Sequence, residues 1–231
     1  MAQEIEIGAH WVKTIGGMQF NLDTIFTAWL AMILMIIFAL IFKGRMKLKP
    51  GRVQTLAEFL MEFLEGIVVG QMGKEGYSHF ALIGSLFLFI LTSNLLGQLP
   101  WKLYHLQQGE FASPTNDLNT TIALALIVSV YYFFVGIKKK GISYFKHYFQ
   151  PVWFMAPFNL LEDITKPVTL SLRLFANVFA GEVIVLVFIG LIPIFLPVPM
   201  MLFEIFVAFI QAFIFAILSA TYIGMALKEE H

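Results

Sequence analysis

Between Pro167 and Leu227 the chain carries three charged side chains, Arg173, Glu182 and Glu204, in an otherwise apolar run that also holds the amides Asn177 and Gln211. Ionisable groups at membrane depth are expensive, and by default they mark ion pathways. At helical spacing Lys166, Thr169, Arg173, Ala176, Asn177 and Ala180 share one face. Its small and polar residues leave room for a second helix beside the arginine. Glu162 lies near that face, Glu182 points to the opposite one, and Glu204 and Gln211 share a face of their own. Folding the run about residue 195 sets Glu182 opposite residue 208, a turn from both Glu204 and Gln211. Two close carboxylates in a medium of low dielectric can load and unload protons. Arginine cannot, because it stays charged. The pattern therefore suits a proton or cation path interrupted by a fixed positive charge, with Glu162 and Lys166 on one side and Asn177, Glu182, Glu204 and Gln211 on the other. A plainer reading has Arg173 snorkelling from a helix end beside Lys166. That reading leaves the two glutamates and Gln211 unexplained.

The elements that would position these groups follow from composition. Of 231 residues, 59% are hydrophobic and only 13% charged, with a mean hydropathy of +0.81, against about a quarter charged in soluble domains. The chain is expected to be an all-α polytopic membrane protein forming a single membrane domain over 1–231. Runs without charge at 24–42, 80–99 and 118–137 predict three upright transmembrane helices. The loops KGRMKLKPGR (43–52) and KKKGISYFK (138–146) are basic without an acid, whereas 1–23 and 100–117 are neutral to acidic. The positive-inside rule then puts the N-terminus outside and both basic loops in the cytoplasm. Over 53–73, Glu58, Glu62 and Glu65 line one face and Leu56, Phe59, Leu60, Phe63 and Ile67 the other, which predicts an interfacial amphipathic helix. Beyond it, 151–190 and 200–228 are too long for upright spans. They predict a strongly tilted C-terminal helical hairpin, turned at LIPIFLPVP (191–199), with the C-terminal KEEH in the cytoplasm. Zero net charge gives no reason to expect nucleic acid. The absence of cysteine removes disulfides and thiolate metal sites. No nucleotide-binding motif, cofactor motif or metal-ligand cluster is present, so the chain alone is not expected to hydrolyse ATP.

LRLFANVFAGE (172–182) followed by FEIFVAFIQAFIFAILSATY (203–222) resembles the a subunit of F-type ATP synthases. PTNDLNTTIALAL (114–126) and PFNLLEDITKPVTLSLRLF (157–175) extend the resemblance over about residues 20–228. It implies a membrane stator lying against a ring of c subunits, with the b-subunit peripheral stalk and the rest of the synthase as further partners in the lipid bilayer. Arg173 would separate two offset half-channels and act as counter-charge to the ring carboxylate. Asn177, Glu182, Glu204, Gln211 and Asp117 would line the outer one, and Glu162 and Tyr222 the cytoplasmic one. Some family members carry histidine at the position of Glu204, which leaves open whether Glu182 or Glu204 is the main titrating group. Asp117 could also serve as a helix cap, and Tyr222 as an interfacial anchor. The alternative function is a secondary transporter with its own midplane site, but such folds show paired halves and none is visible here. A scaffold without transport would not explain the intramembrane glutamates. Basic loops inside suit a bacterial plasma membrane.

Overall fold

The uncharged runs become helices that end where the sequence changes character. The computed structural model describes residues 12–15, 17–44, 51–98, 113–141, 144, 153–191 and 197–227. The expected outer N-terminus at 1–11, most of the basic loop 43–52, residues 99–112, most of 142–152, residues 192–196 of the proline turn and the KEEH tail lie outside the described residues. The elements run β1 (Val12–Ile15), β2 (Met18–Asn21), α1 (Leu22–Lys43), α2 (Arg52–Met72), α3 (Phe80–Gly97), α4 (Leu118–Lys140), α5 (Ala156–Leu191) and α6 (Pro197–Leu227). Short 3₁₀ turns at Gly73–His79, Pro114–Asn116 and Trp153–Met155 precede α3, α4 and α5. Five helical segments, with α2 and α3 counted as one, are long and apolar enough to cross a membrane. The protein is an all-α polytopic membrane protein apart from one small hairpin.

That hairpin was not expected. β1 and β2 pair antiparallel with Ile15 opposite Met18, leaving a two-residue connection in which Gly17 has φ +85°. Glycine supplies the positive φ that such tight turns require. β2 leads directly into α1, which buries only Asp23, Thr24, Thr27 and Ala31. Most of the rest of α1 is apolar and exposed or half-exposed, as Trp29 and Leu40 illustrate. An outward apolar surface of this kind is what a helix in lipid presents.

α6 is the spine of the core. Ala208, Ala212, Ala216, Ala220 and Gly224 recur every fourth residue along it, and all are buried. Short side chains in such a row let neighbouring backbones come close. Ile83, Phe87 and Ile90 of α3, Val128 and Tyr132 of α4, and Leu170 and Leu174 of α5 belong to the same core. α2 matches the expected surface helix in extent, and the structure shows what its apolar stripe meets. Phe63 packs on Phe87, Phe209 and Phe213, while Leu64 and Val68 are buried in the core. Glu58 and Glu62 stay exposed, and Glu65 accepts a 2.7 Å hydrogen bond from the Tyr77 hydroxyl. Farther along, a Cβ on Gly224 would lie 2.7 Å from the Gln71 carbonyl oxygen. Backbone cannot yield there as a side-chain tip can. Gly224→Ala is therefore expected to cost about 1–3 kcal/mol, read as a lower unfolding temperature of the purified protein.

The hairpin helices are long, as expected. α5 has 36 residues and α6 has 31, about 54 Å and 46 Å at 1.5 Å per residue. A hydrocarbon core of roughly 30 Å holds such helices only if they tilt or project. α5 runs without interruption through Pro167, although a proline inside a helix lacks the N–H that would close a backbone hydrogen bond. Pro157 sits at the second helical position, where no hydrogen bond is lost.

Candidate functional site

The site is built where α5 and α6 lie antiparallel against α3 and the turn before α4. Asn177 Nδ2 donates to Gln211 Oε1 at 2.8 Å. One turn farther along α5, a Cβ on Gly181 would lie 2.6 Å from Glu204 Oε1. Glycine is thus what allows the Glu204 carboxylate to rest on the α5 backbone. Glu204 and Gln211 are both buried, at 6% and 2% exposure. Together with Asn94, Gln98, Asn177 and Gly181 they line a cavity of about 20 Å³, which is room for on the order of one water molecule.

Beside this cavity, Glu182 Oε2 accepts a 2.6 Å hydrogen bond from Asn116 Nδ2. The expected hairpin pairing put Glu182 between Glu204 and Gln211. On α5 the backbone that meets Glu204 is Gly181, the chain neighbour of Glu182. The next residue on a helix is turned by about 100°, which aims Glu182 at the α4 turn. Asp117 caps α4 by accepting from Asn119 N at 2.8 Å, and it also accepts from Asn21 Nδ2 at 2.8 Å. Its structural role is therefore visible: it ties the start of α1 to the start of α4. Asp117→Ala is expected to remove about 1 kcal/mol of capping and to lower the unfolding temperature, with Asp117→Asn recovering most of the loss. Thr115 Oγ1 donates to Asn94 Oδ1 at 2.6 Å, Ser113 Oγ donates to Ser93 O, and the two hydroxyls lie 2.7 Å apart, which continues the polar lining.

A second polar cluster lies toward the start of α5. Lys166 Nζ is 2.9 Å from Asp163 Oδ1 and 3.1 Å from Glu162 Oε1. The same ammonium sits 5.8 Å from the Tyr222 ring centroid and 5.9 Å from that of Tyr132, a separation at which a cation is drawn to the ring face. Tyr222 is therefore a wall of this cluster. Tyr144 lies nearby, its hydroxyl pushed up to about 12 by burial and by the Asp163 carboxylate, so it stays neutral at physiological pH.

Apolar packing separates the two clusters inside the molecule. Leu170 and Leu174 on α5 and Ala212, Phe215 and Ala216 on α6 are buried between them, with the Ser171 and Ser219 hydroxyls as polar breaks. Arg173 stands at the same level on the outside of α5. It is exposed, and so are its face neighbours Thr169, Leu172, Ala176 and Ala180. Among the described residues it makes no ion pair or hydrogen bond. It is seven residues from Lys166 and nine from Glu182, about 10 and 13 Å along the helix.

The sequence-derived residues thus fall into a first group (Asn177, Glu182, Glu204, Gln211, Asp117), a second group (Glu162, Tyr222) and the lone Arg173. Asn94, Gln98, Asn116, Asp163 and Tyr132 were not singled out from sequence. Asn94 and Gln98, polar residues within or at the end of an uncharged run, carried a usable signal. Asn116 and Tyr132 act through tertiary partners that no spacing reveals.

The sequence profile of the family described as ATP synthase A chain matches residues 25–224. The chain is 43% identical to "ATP synthase subunit a, chloroplastic" of Oedogonium cardiacum, covering 99% of this chain and 91% of that one. It is 46% identical to the protein of the same name from Bigelowiella natans, over 99% and 95% of the two chains. For Stigeoclonium helveticum the identity is 42%, over 99% and 94%.

Proposed function

This chain belongs to the ATP synthase A chain family, and from that premise we propose that it carries protons along two offset half-channels separated by Arg173. Its partners are a ring of c subunits, the b-subunit peripheral stalk and the remainder of the synthase. The outer half-channel passes Asp117, Asn116 and Glu182 to the cavity between Glu204, Gln211 and Asn177. The second half-channel is lined by Glu162, Asp163, Lys166 and Tyr222.

One observation carries this reading: an exposed arginine without an ion-pair partner among the described residues, level with the apolar packing that divides two polar clusters. A proton cannot pass from one cluster to the other through Leu170, Leu174 and Phe215 without a chain of polar partners. Its available route is outward, onto a partner that presents a carboxylate at the level of Arg173. The guanidinium attracts the ionised carboxylate and favours release of its proton, while its own charge repels a proton taking a short cut. A potential of 100 mV is worth about 2.3 kcal/mol per charge, so the barrier preserves the drive.

The basic stretches 43–52 and 138–146 support an orientation with the Glu162–Tyr222 cluster toward the cytoplasmic side and the N-terminus on the opposite side. The membrane is a bacterial plasma membrane or, as the relatives' names suggest, that of a chloroplast.

Because the chain has no native cysteine, the outward route is directly testable. A cysteine at Ala176 is expected to form a disulfide with one placed beside the ring carboxylate in the assembled complex. A cysteine at buried Leu174 is not. Equal cross-linking at both positions, or none at Ala176, would refute an α5 face turned toward the ring.

A further inference from the structure

We propose that the lysine end of α4 holds a binding site for the phosphate- or sulfonate-bearing headgroup of an anionic membrane lipid. A cavity of about 360 Å³ opens there, lined by none of the residues assigned to the two polar clusters and not by Arg173. That volume lies within the range of about 300–1,000 Å³ of small-molecule sites. Its α4 wall is the strip Tyr131, Phe134, Val135, Lys138 and Lys139, with His79 and Leu227 facing it. The strip runs about 12 Å along the helix, from aromatic and aliphatic side chains inside the span to two ammonium groups at its end. Phe134 is exposed beside the cavity, so an acyl chain lying on it would remain in the membrane while its headgroup meets the lysines.

Charge selects the ligand. Lys139 is neutralised by Glu75, with Nζ 2.9 Å and 2.7 Å from the two carboxylate oxygens. Lys138 forms no ion pair among the described residues. One cation is therefore left over at the mouth. Deeper in, His79 Nδ1 and the Tyr131 hydroxyl are 2.9 Å apart. With the hydroxyl donating to Nδ1, the ring proton sits on Nε2 and gives the cavity a second donor. Directly across the Glu75–Lys139 pair lies a larger cavity of about 470 Å³, lined by Gln71, Glu75 and Lys139. There the carboxylate and the ammonium cancel, so it offers an anion no comparable attraction. The cavity with the unmatched lysine is the one suited to a headgroup that carries a negative charge and two or more acceptor oxygens.

The test is native mass spectrometry of the intact synthase, released from nanodiscs of equal phosphatidylcholine and phosphatidylglycerol. Wild type is expected to retain phosphatidylglycerol in preference to phosphatidylcholine. Lys138→Gln is expected to lower that retention by about tenfold, the effect of losing one charge-assisted hydrogen bond. Lys74→Gln, which removes an exposed lysine that does not line the cavity, should leave it unchanged. A parallel sample in phosphatidylcholine alone, given inorganic phosphate, separates the two sources of a phosphate group. The lipid site is overturned if both lipids are retained equally, if K74Q acts as strongly as K138Q, if K138Q has no effect, or if phosphate binds in a Lys138-dependent way while phosphatidylglycerol is not retained.

Discussion

Replacing Arg173 by alanine is expected to abolish coupled proton pumping in vesicles that hold the assembled complex, by on the order of 100-fold or more. The magnitude follows from the cost of about 3–5 kcal/mol for removing one member of a desolvated charge pair, the other member in the proposed scheme being the ring carboxylate. Folding should be little affected, because Arg173 is exposed and touches no polar partner among the described residues. Activity and assembly therefore separate cleanly. A passive leak that appears only in the variant would identify the guanidinium as the barrier. Arg173→Lys should not restore normal pumping, since an ammonium lacks the planar fork that engages a carboxylate. Near-normal pumping in R173A would mean that Arg173 is merely a snorkelling side chain and that the two-channel scheme is wrong.

The second large effect is expected at Glu204. Its carboxylate is buried, rests on Gly181 and lines the small cavity shared with Asn177 and Gln211. Glu204→Gln keeps the shape and removes the exchangeable carboxyl proton. A loss of at least about tenfold in proton-driven ATP synthesis is expected, since one positioned acid–base group typically contributes about 10²–10⁴-fold. Gly181→Ala tests the same site from the opposite helix. Its methyl group would force the Glu204 carboxylate aside, so flux should fall although no titratable group has been removed. If E204Q is silent while Glu182→Gln is not, the proton path runs by the Glu182–Asn116 contact and the cavity is only packing. Comparing initial rates of synthesis at a fixed proton gradient in the three variants decides the matter.

Much of this architecture was legible in the sequence because charge is scarce in it. Each uncharged run became a helix, and the spacing of Glu58, Glu62 and Glu65 marked α2 within a residue or so of its observed ends. The excess length of α5 and α6 was likewise visible. Their relative register was not. The Asn177–Gln211 and Gly181–Glu204 pairs centre the hairpin near residue 193, ahead of the assumed fold at 195. Folding about 193 instead of 195 moves the position directly opposite Glu182 from 208 to 204, about one helical turn along α6. The four-residue strands β1 and β2 were missed because so short a stretch holds too few alternations to show a period. The small-residue row on α6 was overlooked for a different reason. In a mostly apolar helix hydropathy has little contrast, and side-chain volume is the clearer periodicity. The polar partners of the site, Asn116 for Glu182 and Tyr132 for Lys166, come from helices distant in sequence, which one-dimensional spacing does not bring together.

The row Ala208, Ala212, Ala216, Ala220 and Gly224 has a mechanical meaning. In the proposed mechanism, a subunit that holds still while a ring turns against α5 must absorb the reaction to every step. Long side chains at a contact can change rotamer and give way under lateral load, as soft bushings do. Methyl groups and a glycine have no such freedom, and their neighbours are held almost backbone to backbone. α6 should therefore pass force from α5 to the rest of the subunit with little give, and the spacing between Arg173 and its moving partner should hold under torque.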